Sequence, residues 1–184
     1  MSFQQKFPLQ KITTAYGGDL RKRAKNRGAR TLVCRSGSMH FTLRSLQAKG
    51  AYSFQASKNR QRIKNFIEQF SARKGVRILS FANVGNHLHL HVQLHNQALY
   101  RAWIRGLCSG IAMLVLGLDG FKKLSALGIK FWDQRPFSRI IQSFRHFMNT
   151  KLYVEINQLE GLGMPRTQAE LLIKGSRHFF KSTA

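Results

Sequence analysis

Between Asn86 and Leu94 the chain alternates strictly, as His87-Leu88-His89-Leu90-His91-Val92, with the period of two that marks an extended strand. Side chains of a strand point alternately to its two faces. His87, His89 and His91 therefore share one face, while Leu88, Leu90 and Val92 pack into a core on the other. A second alternation, Met39-His40-Phe41-Thr42-Leu43-Arg44-Ser45, predicts another strand with Met39, Phe41 and Leu43 turned inward, closed by Gly50. Over 58–74, Ile63, Phe66, Ile67 and Phe70 recur at helical spacing among Lys and Arg, which predicts an amphipathic helix ended by Gly75. Val76 to Val84 reads as a further strand, joined to the histidine strand through a Gly85-Asn86 turn. A second helix is expected over 97–116, with Leu99, Trp103, Leu107, Ile111, Leu114 and Val115 on a broad apolar face, and a last one over 143–159. The order strand, helix, strand, strand predicts an α+β sandwich built on an antiparallel sheet.

The length of 184 residues suits one domain, here 39–160, between a basic N-terminal arm (1–38) and a basic C-terminal extension (161–184). Lys and Arg number 31 against 7 Asp and Glu, a formal net charge of +24, and such a field favours a polyanion, DNA or RNA. The arm, with its basic run from Arg21 to Arg30, either clamps nucleic acid or merely solubilises the chain. No segment sets a clean Lys/Arg face against an aromatic one, no apolar run reaches membrane-spanning length and the first residues do not read as a signal peptide; a soluble, cytoplasmic, nucleoid-associated protein with no membrane partner is expected. Cys34 and Cys108 are too few for a disulfide framework or a cysteine zinc site. Seven scattered acids, with no apparent common site, argue against an acid-triad nuclease.

Two imidazoles on one strand face can bind a metal. Tyr153 and Asn157 lie four residues apart and so share one face of the last helix. Asn157 can offer an amide oxygen to a cation held by His87 and His89, and Tyr153 can aim its phenolic oxygen at a phosphate on that cation. Mg²⁺ or Mn²⁺ suits such a set, because two imidazoles and one amide oxygen leave positions for phosphate and water. Periodicity alone also allows Tyr153 to be an edge residue of an amphipathic helix and the histidines to line a solvated sheet face. His91 is assigned to DNA phosphate or to neighbouring strand side chains, His40, His95 and His146 to ordinary surface or sheet-face positions, and Asp133 to capping a turn.

Three ordered motifs resemble those of the single-tyrosine HUH endonucleases, in particular the REP-associated tyrosine transposases. Asn86-His87-Leu88-His89 resembles the family's His-hydrophobic-His motif, Phe131-Trp132-Asp133-Gln134 its Trp-containing segment, and Tyr153-Val154-Glu155-Ile156-Asn157 its Tyr-to-Asn helix motif. The resemblance covers roughly residues 36–160. Gln158 stands where the family commonly has proline, and the basic arm is longer than the family's pattern, both departures that bear on the DNA target. The resemblance implies the HUH endonuclease fold, a ferredoxin-like antiparallel sheet with helices packed on it. It implies cleavage of single-stranded DNA at hairpins or repeats by Tyr153, leaving a 5′-phosphotyrosine link and a free 3′-hydroxyl that can later rejoin strands, in a monomer or a homodimer. Arg135, Arg139 and Arg145 near the catalytic helix, with Lys58, Arg60 and Arg62 on the first helix, are the candidates for holding the strand. Two other readings stay open: a non-catalytic basic nucleic-acid-binding protein, and a two-histidine phosphoesterase of RNA ends using His40-Phe41-Thr42 with His89-Leu90-His91 as an imperfect partner.

Overall fold

The period-two segments pair with one another. In the computed structural model, which describes residues 15–18, 37–94, 99–118 and 130–181, five strands form one antiparallel sheet. They are β1 (Ala15–Tyr16), β2 (Ser38–Arg44), β3 (Val76–Asn83), β4 (His87–Leu94) and β5 (Phe137–Ile141), in the order β1-β5-β2-β4-β3. α1 (Ser57–Arg73) stands between β2 and β3 in the chain, α2 (Tyr100–Leu116) between β4 and β5, and α3 (Phe144–Gly161) and α4 (Arg166–Lys181) follow. Apart from β1, the βαββαβ order with β2 and β4 at the centre is the ferredoxin-like arrangement.

Register decides which face is dry. Met39 lies opposite Val92, Phe41 opposite Leu90 and Leu43 opposite Leu88, and all six are buried. Ile63 and Ile67 of α1, with Trp103, Leu107 and Ile111 of α2, complete this core, each large side chain contributing about 1.5–3 kcal/mol. Trp103 Nε1 donates to Ser71 Oγ at 3.1 Å, so the buried indole leaves no orphaned donor. Gly106 and Gly110, one turn apart on α2, let the Phe70 and Phe66 rings lie against the helix. A Cβ at Gly110 would stand 2.1 Å from Phe66 Cζ.

The opposite face is polar. Arg44 lies opposite His87, Thr42 opposite His89 and His40 opposite His91, while β5 sets Phe137 beside Thr42 and Arg139 beside His40. α3 packs over this face, burying Thr150, Val154, Ile156 and Asn157. Its start is capped by Ser143 Oγ, which accepts from the His146 amide at 3.2 Å. Two amides tie its end to β3: Gln158 Oε1 accepts from Asn83 N at 2.9 Å, and Gln55 Nε2 donates to the carbonyls of Asn83 and Gly161.

Three elements depart from the sequence expectation. Part of the arm is structural, since Ala15 and Tyr16 pair with Arg139 and Ser138 of β5 and Ser38 already belongs to β2. β5 has no clean alternation because both its faces are covered: Ser138 is fully buried on the core side and Ile141 is buried on the other. The C-terminal extension contains α4, started beside Pro165 and laced by Arg166–Glu170 and Glu170–Lys174 pairs at 3.2 and 3.1 Å. The run Arg21–Arg30, Cys34, His95 and the basic segment after Gly120 lie outside the described residues. No helix among those described is long and apolar enough to cross a membrane.

Candidate active site

The site begins at the β3–β4 turn. Gly85 adopts φ +87°, a conformation strained for any residue with a Cβ. Asn83 staples the turn, accepting from Gly85 N at 3.1 Å through Oδ1 and donating to the Phe54 carbonyl at 2.7 Å through Nδ2. His87 emerges directly after it. Its Nδ1 lies 2.7 Å from Asn86 Oδ1, an atom that can only accept, so the proton sits on Nδ1 and Nε2 carries the lone pair.

His89 is held more tightly. Its Nδ1 lies 3.2 Å from Thr42 Oγ1 and 3.3 Å from His40 Nε2, and the His40 and His89 rings stack in parallel with centroids 5.4 Å apart. Its Nε2 is buried without any hydrogen-bond partner. An orphaned buried ring nitrogen calls for a ligand, and a cation is one it could take. The His87 ring stands edge-on to it at 4.9 Å.

Tyr153 completes the cluster from α3. Its ring meets His89 edge-on at 5.3 Å and His40 at 5.7 Å, yet 40% of the residue is exposed, enough for a phosphate to reach it. His87, His89, Thr42 and Tyr153 line one cavity of about 1230 Å³, with Arg44, Lys130 and Arg135 supplying positive charge. Asp133 also borders it. Its Oδ1 accepts from Leu46 N at 2.7 Å and its Oδ2 stands 3.8 Å from Arg44 Nε, so the carboxylate caps a turn, as expected from sequence.

Burial, then the neighbouring His40 and His87, lowers the His89 pKa to about 3. Burial, then His91 and Arg139, takes His40 to about 4, and burial with Arg44 lowers His87. These imidazoles are therefore neutral near pH 7, the form in which a ring nitrogen can hold a metal. Among the described residues no three His, Cys, Asp or Glu side chains converge as a metal-ligand group. A cation here would thus rest on two imidazoles with amide, phosphate or water oxygens, and the lone pairs of His87 and His89 fit that set.

The other candidates fall on both sides of the expectation. Asn157 is buried, and its Nδ2 donates to the Tyr153 carbonyl at 2.6 Å, leaving Oδ1 outside that bond; it does not line the cavity. Arg135 lines it and donates to Tyr16 Oη at 3.1 Å, whereas Arg139, Arg145, Lys58, Arg60 and Arg62 are exposed and stand outside its lining. His91 is fully buried, with Nε2 2.8 Å from Ser38 Oγ and its ring 4.7 Å from that of Phe147, which settles it on neighbouring side chains rather than on DNA. Of the residues of the His-x-Thr reading, the cavity holds Thr42 and His89 but neither His40 nor His91. His40 is the residue that sequence reading passed over as ordinary. It is buried against His89, and the alternation that put Met39 and Phe41 in the core had already set His40 and Thr42 on the histidine face.

No family known from sequence matches the chain, and no curated protein does. Among solved structures it is similar to a REP-associated tyrosine transposase bound to a REP hairpin, at 16% identity over 72% of each chain with a TM-score of 0.52. It also aligns with a candidate transposase from Deinococcus radiodurans R1, at 12% identity over 73% of this chain and 98% of that one, with a TM-score of 0.43. The first similarity shows that the chain has the fold of that transposase.

Proposed function

We propose that the chain is a metal-assisted, single-tyrosine DNA endonuclease and strand transferase of the REP-associated type, acting on single-stranded, hairpin-forming DNA. The observation that carries this reading is Tyr153, partly exposed on the cavity wall with its ring 5.3 Å from that of His89. The net charge of +24 and the fold shared with a hairpin-bound transposase support DNA as the partner.

In the reaction, Tyr153 Oη forms a bond to phosphorus as the bond to the 3′-oxygen breaks; the proton lost by the phenol is balanced by one gained at the leaving oxygen. The strand stays linked through a 5′-phosphotyrosine, and the free 3′-hydroxyl can reverse the step on the same or another strand. No bond energy is lost, so no nucleotide cofactor is needed. Arg44, Lys130 and Arg135 draw the phosphate into the cavity. His40 and Thr42 fix the His89 ring so that Nε2 points its lone pair away from β2. His87 and His89 are the residues that would hold Mg²⁺ or Mn²⁺ through Nε2, with Asn157 Oδ1 as the proposed third donor. Such an ion, when bound, neutralises phosphate charge and orients phosphorus for in-line attack.

The test uses the full chain, an end-labelled set of single-stranded hairpins, Mn²⁺ and a denaturing gel. Wild type gives a covalent protein–DNA band; Tyr153→Phe binds within about 2-fold of wild type and gives none, and His87→Ala gives none. Tight binding without a band in wild type would make the chain a basic binding module, and a band in Tyr153→Phe would move the nucleophile elsewhere.

A further inference from the structure

A second cavity, of about 540 Å³, adjoins the first: Trp132 and Arg135 line both. Its walls combine flat rings with unpaired positive charge. Tyr16 and Tyr100 are buried in it, and Trp132 is fixed by Nε1 donating to the Cys108 carbonyl at 3.0 Å and by an edge contact with Phe131 at 5.0 Å. Arg101 and Arg105 reach it from successive turns of α2, both exposed, and neither enters an ion pair among the described residues. Like charges four apart on a helix repel, so an anion between these two guanidiniums relieves a cost that the free protein carries. Tyr16 belongs to β1, so a strand of only two residues closes one wall of this cavity.

Tyr16 and Tyr100 are buried beneath the cavity, so the ring face open to a ligand is that of Trp132, and beside a pair of guanidiniums it matches one ligand chemistry, a nucleobase with its flanking phosphates. We infer that the second cavity seats one unpaired nucleotide of the same strand that reaches Tyr153, with the base against Trp132 and the phosphates on Arg101 and Arg105. The inference rests on the single-strand reading above. It makes the Trp132–Arg135 ridge a shared wall that holds the strand's direction across the active site.

The chain carries its own probe, because it has two tryptophans and Trp103 is fully buried while Trp132 is partly exposed at the ridge. Tryptophan fluorescence is titrated with dT12 and with an abasic strand of equal length and charge, in wild type and in Ile104→Phe, which fills the second cavity without touching the first. Stacking predicts that wild type binds dT12 about 10-fold more tightly than the abasic strand, with quenching of Trp132. Ile104→Phe brings that ratio close to 1. Arg101→Gln with Arg105→Gln, a surface change that leaves the fold intact, lowers the slope of log affinity against log salt by about 1.4. A wild-type ratio of 1, or a ratio unchanged by Ile104→Phe with its melting temperature retained, overturns the inference, as does free dTMP binding as tightly as dT12. The covalent band of the preceding test is read separately. A band with a ratio of 1 keeps the tyrosine chemistry and removes the second cavity; a high ratio that Ile104→Phe abolishes, without a band, does the reverse.

Discussion

Acid should unfold this protein through three imidazoles that the sheet holds neutral. His40 and His91 titrate at about 4 and His89 at about 3, chiefly because burial penalises the cation, against an ordinary value of 6.5. The folded state therefore binds fewer protons than the unfolded one below pH 6.5. Stability from each group is complete above that pH and drains away as the pH falls toward the folded values. At pH 5 the gap is about 1.5 pH units, worth about 2 kcal/mol per histidine at 1.36 kcal/mol each, with an upper bound near 6 kcal/mol for the three. That is comparable to the whole stability of an ordinary domain. His91 isolates the effect, being fully buried with its ring hydrogen-bonded, among the described residues, to Ser38 Oγ at 2.8 Å, a partner that glutamine can keep. Urea unfolding in EDTA at pH 7.5 and pH 5 gives the loss for wild type; His91→Gln should lose about 2 kcal/mol less, whatever the substitution costs at either pH. An equal loss in both proteins would show that His91 is not held neutral, and the reasoning from burial would fail.

Three further outcomes are expected. His40→Ala removes the buried ring stacked on His89, so Mn²⁺ affinity by titration calorimetry should fall about 10-fold or more, with some loss of melting temperature from the cavity left, and His40→Gln should recover part of the affinity; unchanged affinity would exclude a positioning role. Gly110→Ala gains about 1 kcal/mol of helix propensity but forces Phe66 from its seat, and a net loss of about 1–2 kcal/mol in urea unfolding is expected, where a gain would mean that the ring moves freely. Gln158→Ala strips the Asn83 amide of its acceptor and should cost about 1–2 kcal/mol, with faster hydrogen exchange at Asn83 as the local signature.

What could be read from the chain divides by distance. β2, β3, β4, α1, α2 and α3 carry their evidence within a few residues, as alternation or helical spacing bounded by glycine, and the structure sets their ends within about three residues of the expected ones. β1 is too short to have a period, β5 hides one because Ser138 faces the core, and α4 was obscured by the charge that laces its surface. Within the site, the shared face of His87 and His89 follows from alternation alone, whereas spacing put Tyr153 only on one helix face with Asn157 and the motif resemblance singled it out. The role of His40 depends on β2 pairing with β4 in the register that sets Thr42 against His89, a contact across 47 residues, and that of Gln158 on a bond spanning 75. Alternation turns His40 to the polar face, but neither contact partner can be read locally. Gln158 is an example: in the sequence it is a departure from the motif the chain resembles, in the structure its amide, with that of Gln55, ties the end of α3 to β3. On the proposed reading α3 presents Tyr153 to a phosphate and needs its angle fixed, and a side-chain amide five residues beyond the tyrosine provides that constraint.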